Sequence, residues 1–226
     1  MKVLKAILHI IIVILLTLVT QVGGLIWVIV FGFFKLHKLD WNKRKRLAVF
    51  LVVYVVMIFT IVPYCALLSS RKMLPVFHSA IEPHNLAYVL LCRNYVRIDL
   101  YNTIQDISST QSSSLTRLKL IYLDAGFPFI DGFPLLPHLS HNDGRKVDVS
   151  FVYKNKNDTS FKNSNPSLTG YGIYEEPRVN EINQTQICED AGYWQYSYAN
   201  FIGVNTDDSV ILNEYQTKLL LSLIHI

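Results

Sequence analysis

The chain has 226 residues, of which 51% are hydrophobic and 17% charged, and its formal net charge is +4. It is more apolar than an ordinary soluble protein, and the apolar excess lies at the N-terminus. The sequence contains three cysteines, no internal repeat and no glycine-rich phosphate-binding loop. Nothing in it therefore indicates a cysteine zinc cluster or a nucleotide-binding loop.

Two long apolar runs open the chain. Residues 6–34 contain no Asp, Glu, Lys or Arg, and residues 47–68 are interrupted only by Pro63. A membrane helix needs about 20 apolar residues, so we expect transmembrane helices over about 6–34 and 47–68. A cleaved signal peptide is the alternative for the first run, because Lys2 and Lys5 resemble its basic start. The run is too long for that, and no cleavage site of small residues follows it.

The loop between the two runs, residues 35–46, carries six Lys or Arg residues. The positive-inside rule places such a loop in the cytoplasm, which puts the N-terminus and everything after Leu68 outside. A nucleic-acid patch is the alternative, but a basic stretch between two spans is better explained by topology. We therefore expect residues 1–68 to be a membrane region in the lipid bilayer, residues 69–226 to be an extracytoplasmic domain, and no nucleic-acid partner.

The outer part has the length of one domain. Residues 86–98 are predicted to be a helix or a mixed segment. The Ser- and Thr-rich residues 105–116 indicate a loop or a helix start, and the apolar residues 118–123 indicate a strand. Residues 124–137 are dense in Gly, Pro and aromatic residues, so they cannot be helical. We expect them to form a packed loop that delivers the histidines that follow.

The most informative stretch is residues 138–148, His-Leu-Ser-His-Asn-Asp-Gly-Arg-Lys-Val-Asp. Asn142-Asp143-Gly144 predicts a tight turn, because these residue types tolerate positive φ. Residues 147–151 alternate between apolar and polar, which predicts a half-buried strand with Asp148 on its polar face. The turn then folds His141 back toward Asp148.

These side chains suit a metal ion. A catalytic zinc ion takes about three protein ligands and keeps one position open for water. His141 and Asp148 would supply two of them, and His138 could supply a third. An ordinary polar turn with solvated histidines is the alternative that the spacing leaves open.

The pattern H-x-S-H-x-x-G-x-x-x-D resembles the first metal motif of the penicillin-insensitive murein endopeptidases. It is similar, more loosely, to the D-Ala-D-Ala metallopeptidases and Hedgehog-like domains. The resemblance implies that His141 and Asp148 bind Zn²⁺, with Gly144 in the turn between them. It implies that His138 is a further ligand or a catalytic residue that handles protons beside the metal.

The same resemblance implies an α+β domain with a mostly antiparallel sheet. It also implies a protein of the bacterial inner membrane that hydrolyses a peptide bond in peptidoglycan. That family completes its site with a second motif, which carries another zinc-binding histidine. Here only His225 follows Asp148, and its apolar surroundings do not resemble that motif.

The end of the chain bears on this absence. A helical pattern follows the capping residues 207–209 and runs to the last residue without a stop signal, so we expect the domain to be truncated at its C-terminus.

Arg93 or Arg97 could stabilise an oxyanion or bind a carboxylate, although surface charge on a helix is the simpler interpretation. A non-catalytic module that binds peptidoglycan or a partner protein is the alternative to a peptidase.

Overall fold

The computed structural model describes residues 2–39, 41–78, 80–113, 119–156, 161–162, 165, 167–171, 179–193 and 210–224. His225 and the predicted capping residues 207–209 lie outside the described residues.

The first apolar run forms two helices rather than the single helix predicted over 6–34. Helix α1 (Lys2–Thr20) and helix α2 (Gly23–Leu36) are separated at Gln21, whose φ is +65°. The second helix folds back along the first, as the hydrogen bond from Trp27 Nε1 in α2 to His9 Nδ1 in α1 at 3.0 Å shows. The prediction of one continuous helix was therefore wrong.

Two glycines make this close return possible. A Cβ atom on Gly24 would lie 2.0 Å from Thr17 Oγ1 and 2.5 Å from Val13 O, so any side chain would force the helices apart. The resulting antiparallel pair is called the N-terminal hairpin. Because it returns, the start of α1 lies at the same end of the hairpin as Lys35 and Lys38.

The second apolar run is bent. Helix α3 (Lys43–Phe59) begins at Asn42, whose side chain accepts from Lys45 N at 2.9 Å, and helix α4 (Ile61–Leu68) follows at an angle of 46°. The bend at Thr60 is explained by Pro63, whose ring lacks an N–H group and crowds the carbonyl four residues before it.

By length and composition, α1 is the one described helix that could cross a membrane unaided, and α3 with α4 adds a second span only if the bent pair counts as one. Helix α2 is apolar but has only 14 residues. Only 6% of the apolar window of α1 is buried, unlike the core helix of a soluble protein.

The rest of the described chain is a mixed α+β structure with three small sheets, of which two are antiparallel and one is parallel. The strands are β1 (Arg71–Met73) with β3 (Tyr95–Arg97), β2 (Ile81–Pro83) with β4 (Leu120–Tyr122), and β5 (Tyr153–Asn155) between β6 (Phe161–Lys162) and β7 (Val210–Leu212). The helices are α5 (Leu86–Leu90), α6 (Ile98–Ser113), α7 (Gln184–Asp190) and α8 (Glu214–Ile224).

Helix α6 replaces the loop or helix start that was predicted from the Ser- and Thr-rich sequence. Ile104 and Ile107 of this helix are 3% and 7% exposed, and they pack in the same core as Val96, Leu120 and Leu220. Burial of this apolar face outweighs the weak helix propensity of Ser and Thr.

The strand predicted over residues 147–151 is present only as a single antiparallel bridge between Tyr122 and Val149. The backbone of Asp148 nevertheless pairs in both directions, since its N–H donates to Asp124 O at 2.7 Å and its carbonyl accepts from Leu123 N at 2.8 Å. These bonds fix Asp148 beside the end of β4.

Candidate metal centre

One excursion of the chain builds the candidate site. It leaves β4 at Asp124, forms the loop expected from the Gly- and Pro-rich sequence, passes through a short 3-10 helix (Leu139–His141) and returns to Asp148. We call residues 124–148 the site loop. Gly144 has φ +70° in the predicted turn, a conformation that glycine adopts at no steric cost.

The site loop brings His138, His141 and Asp148 together. The Nδ1 atom of His138 lies 2.9 Å from one oxygen of Asp148, and the Nε2 atom of His141 lies 3.1 Å from the other. One ligand atom from each of the three residues lies within 4.8 Å of the other two. The three could therefore hold a metal ion.

The orientation of His141 is fixed by the backbone. Its Nδ1 atom lies 3.1 Å from the carbonyl oxygen of Ala125. A carbonyl can only accept, so Nδ1 carries the proton and Nε2 is the atom that can present a lone pair to a metal. His141 is 5% exposed, so few rotamers compete with this one.

The electrostatics of the group favour an ionised Asp148. Burial alone would raise the pKa of Asp148, but hydrogen bonds from His138, His141 and Tyr171 outweigh it and hold that pKa below its usual range. Burial by itself would lower the pKa of His141, yet the hydrogen bond and charge of Asp148 raise it. Asp148 is thus an ionised acceptor of these hydrogen bonds, and a cation bound there would compete with their donors.

Tyr171 belongs to the site although nothing in the local spacing indicated it. Its hydroxyl donates to Asp148 Oδ2 at 2.5 Å. Its ring meets the His138 ring edge-on, with centroids 4.8 Å apart. Tyr171 lies far along the chain from both residues, so only the folded structure could bring it here.

Arg93 has a different role from the one proposed from sequence. Its Nε and Nη2 atoms donate to the two oxygens of Asp124, and its Nη1 atom donates to Leu136 O at 2.8 Å. Asp124 is 2% exposed, and burial raises its pKa while Arg93 opposes the rise. The Asp124 carboxylate lies 3.7 Å from His138 Nδ1, so the Arg93–Asp124 pair is adjacent to the His138 ring.

Arg97 is also engaged with the site loop, where it pairs with Asp131 and donates to Asp143 O at 3.2 Å. Both arginines therefore hold protein groups. Neither is the unattached surface charge on a helix that was the simpler alternative.

The donor set fits a zinc ion. Two imidazole nitrogens and one carboxylate are ligands that zinc takes at catalytic sites. Asp148 and Tyr171 also border a cleft of about 540 Å³, whose other walls are mostly apolar and include Leu123 and Val149. A molecule in this cleft could reach the carboxylate side of the group.

Comparisons with known protein families, curated proteins and solved structures gave no match. The interpretation of the site accordingly depends on its own geometry.

Proposed function

We propose that this chain is a membrane-anchored, zinc-dependent peptidase-like protein that acts on cell-wall peptides. His141 and Asp148 would be zinc ligands, and His138 a third ligand or the residue that handles protons. The observation that carries the proposal is the convergence of three ligand atoms within 4.8 Å at the edge of a cleft. The resemblance of residues 138–148 to a murein endopeptidase motif supports the choice of substrate.

Zinc in this position would act as a Lewis acid toward water and the scissile carbonyl. The side chains around it have separate tasks. Ala125 O orients His141, and the Tyr171 hydroxyl orients Asp148. His138 Nδ1 lies 2.9 Å from Asp148 and 3.7 Å from Asp124, a position beside two carboxylates that fits the proton-handling role.

We place the protein in the bacterial inner membrane with the domain after Leu68 outside the cytoplasm. The hairpin supports a revised orientation of the N-terminus. Lys2 and Lys5 lie at the same end of it as Lys35 and Lys38, so the positive-inside rule assigns all of them to the cytoplasm.

Metal analysis on the full chain in detergent tests the site. His141→Ala and Asp148→Ala should each abolish stoichiometric zinc, because either change removes one of about three ligands. His138→Ala should lower peptide turnover more than it lowers zinc content if His138 handles protons. His78→Ala is the matched control, since His78 is exposed and its Nδ1 accepts from Ala80 N; its zinc content should equal that of the wild type.

A non-catalytic module that binds peptidoglycan or a partner protein is the second candidate. It is favoured by one observation, that both oxygens of Asp148 already have partners in the protein, His141 on one and His138 with Tyr171 on the other. Such a network can stand as a structural device without any metal. A wild-type chain that binds no zinc but still binds peptidoglycan fragments would establish this alternative.

Reporter fusions test the orientation. A reporter joined after Leu68 should be active only outside the cytoplasm, and a tag on the N-terminus should be protected from protease added outside. A reporter after Leu68 that is active in the cytoplasm would remove the cell-wall substrate from consideration.

A further inference from the structure

Among the described residues, one hydrogen bond joins the N-terminal hairpin to the site loop, whose Phe129 side chain also packs against the apolar cluster that includes Val22 and Ile26. Gln21 Oε1 accepts from Phe129 N at 2.8 Å, across 108 positions in the sequence. Gln21 is 8% exposed and has φ +65°, a backbone conformation that is uncommon for a residue with a side chain. The turn between α1 and α2 is thus shaped so that this amide points at the site loop.

The site loop is held from a second side by Arg71, which follows α4 directly and is fully buried. Its guanidinium donates to Phe127 O, pairs with Asp131 and donates to Asn142 O at 3.2 Å. Gln21 and Arg71 are therefore two points of attachment, and both come from, or directly follow, the membrane region.

Docking of the domain on the membrane region does not depend on Gln21. The hydroxyl of Tyr54 in α3 donates to Leu90 O at 2.6 Å, and Tyr54 belongs to the same apolar cluster as Cys92 and Tyr95. None of these residues is in the site loop. Loss of the Gln21 contact should leave the docking in place and loosen the loop alone.

We propose that Gln21 is a positioning residue for the metal centre, so that the N-terminal hairpin sets the affinity of the site for its metal. The inference rests on the proposed function for the identity of the metal. Its physical basis is that ligands bind a metal well only when the backbone carrying them is held to within about 0.5 Å. Phe129 lies nine residues before His138 in the same loop, and Gln21 supplies the acceptor for its N–H.

Gln21→Gly in the full chain in detergent tests the proposal. Glycine adopts φ +65° readily, so the hairpin turn is kept while the acceptor is removed. The matched control is Thr60→Ala, in the same membrane region, where the exposed hydroxyl donates to Val56 O at 2.6 Å within its own helix turn.

Two readouts are needed. In the metal-free protein, amide hydrogen exchange over residues 127–142 should be faster in Gln21→Gly than in the wild type, while exchange in β2 and β4 stays unchanged. The dissociation constant for zinc, measured by chelator competition, should rise about tenfold, within the usual range for coupling between sites. Thr60→Ala should match the wild type in both.

The outcomes separate the two proposals. Equal exchange and equal zinc affinity in Gln21→Gly and Thr60→Ala would overturn the inference alone. Faster exchange in β2 and β4 as well would make the contact a general structural one and would also overturn it. A wild-type chain without zinc would defeat the proposed function, whereas faster exchange confined to the loop would still support Gln21 as its positioning residue.

Discussion

The site loop contains two shared carboxylates, and each is paired with two nitrogen-bearing side chains of a different kind. On one side, Arg71 and Arg97 share Asp131. On the other, His138 and His141 share Asp148. A guanidinium cannot give up its proton in a protein, so the arginine side cannot offer a nitrogen ligand to a metal ion. We call it the closed side. A neutral imidazole has a ring nitrogen that can bind a metal ion, so only the second side offers nitrogen ligands.

Burial follows the same pattern on both sides. The Arg71 side chain is 0% exposed and Asp131 is 53% exposed, while the His141 side chain is 7% exposed and Asp148 is 30% exposed. In each pair the nitrogen group is fixed inside and the carboxylate is toward solvent. An incoming cation would therefore meet the carboxylate first, and only on the histidine side would it also find imidazole nitrogens.

Arg71→Met should have the largest effect, a loss of about 3 kcal/mol in the free energy of unfolding. The change removes a buried guanidinium and leaves the buried carbonyl of Phe127 without this donor, while Asn142 O keeps the hydrogen bond from Gly132 N at 3.0 Å. An unpaired buried group costs about 1–3 kcal/mol. Arg97→Met is the matched control. Its side chain is 28% exposed and pairs with the same Asp131, so its loss should cost below about 1 kcal/mol. Denaturant unfolding measures both, and equal losses would show that burial does not separate these arginines.

Tyr171→Phe should weaken zinc binding about tenfold, with stability changed by less than about 1 kcal/mol. Groups that orient metal ligands typically contribute 10- to 100-fold in affinity, and the Tyr171 hydroxyl donates to Asp148 at 2.5 Å. Tyr88→Phe is the control, because its hydroxyl donates to Thr169 O in the neighbouring segment. Zinc affinity that falls equally in both variants would assign Tyr171 to general packing.

The local part of the candidate site could be predicted from the sequence. The turn around Gly144, the irregular loop before His138 and the meeting of His141 with Asp148 all follow from residue types and short spacings. Only backbone preferences over about ten residues are involved, and those preferences act locally. The strand at residues 120–122 was predicted correctly for the same reason.

The remaining features depend on contacts between distant parts of the chain. Tyr171 reaches Asp148, and Arg93 reaches Asp124, only through tertiary packing. The apolar composition of residues 6–34 predicted a helix but could not reveal the break at Gln21, because hydropathy is the same for one long helix and for two that fold together. Gly23 and Gly24 were the available signal for close helix packing.

Asp131→Asn should produce the smallest effect and test the closed side of the loop. The hydrogen bond from Arg71, with the charges of Arg71 and Arg97, holds the pKa of Asp131 below its usual range despite some desolvation. A depressed pKa in the folded state means that the stabilisation is present above the unfolded pKa of about 3.9. It is lost as the pH falls through the folded value.

The stability difference between wild type and Asp131→Asn should therefore be constant near neutral pH and should shrink below about pH 4. It should be small throughout, because Asp131 is half exposed and solvent screens the pair. Asp190→Asn, at an exposed position in α7, gives the reference for removing one surface carboxylate. Urea unfolding at several pH values measures the difference. A difference that grows as the pH falls would mean that the pKa of Asp131 is not lowered by folding. The two arginines would then not stabilise the ionised carboxylate, and the contrast with the histidine side would be lost.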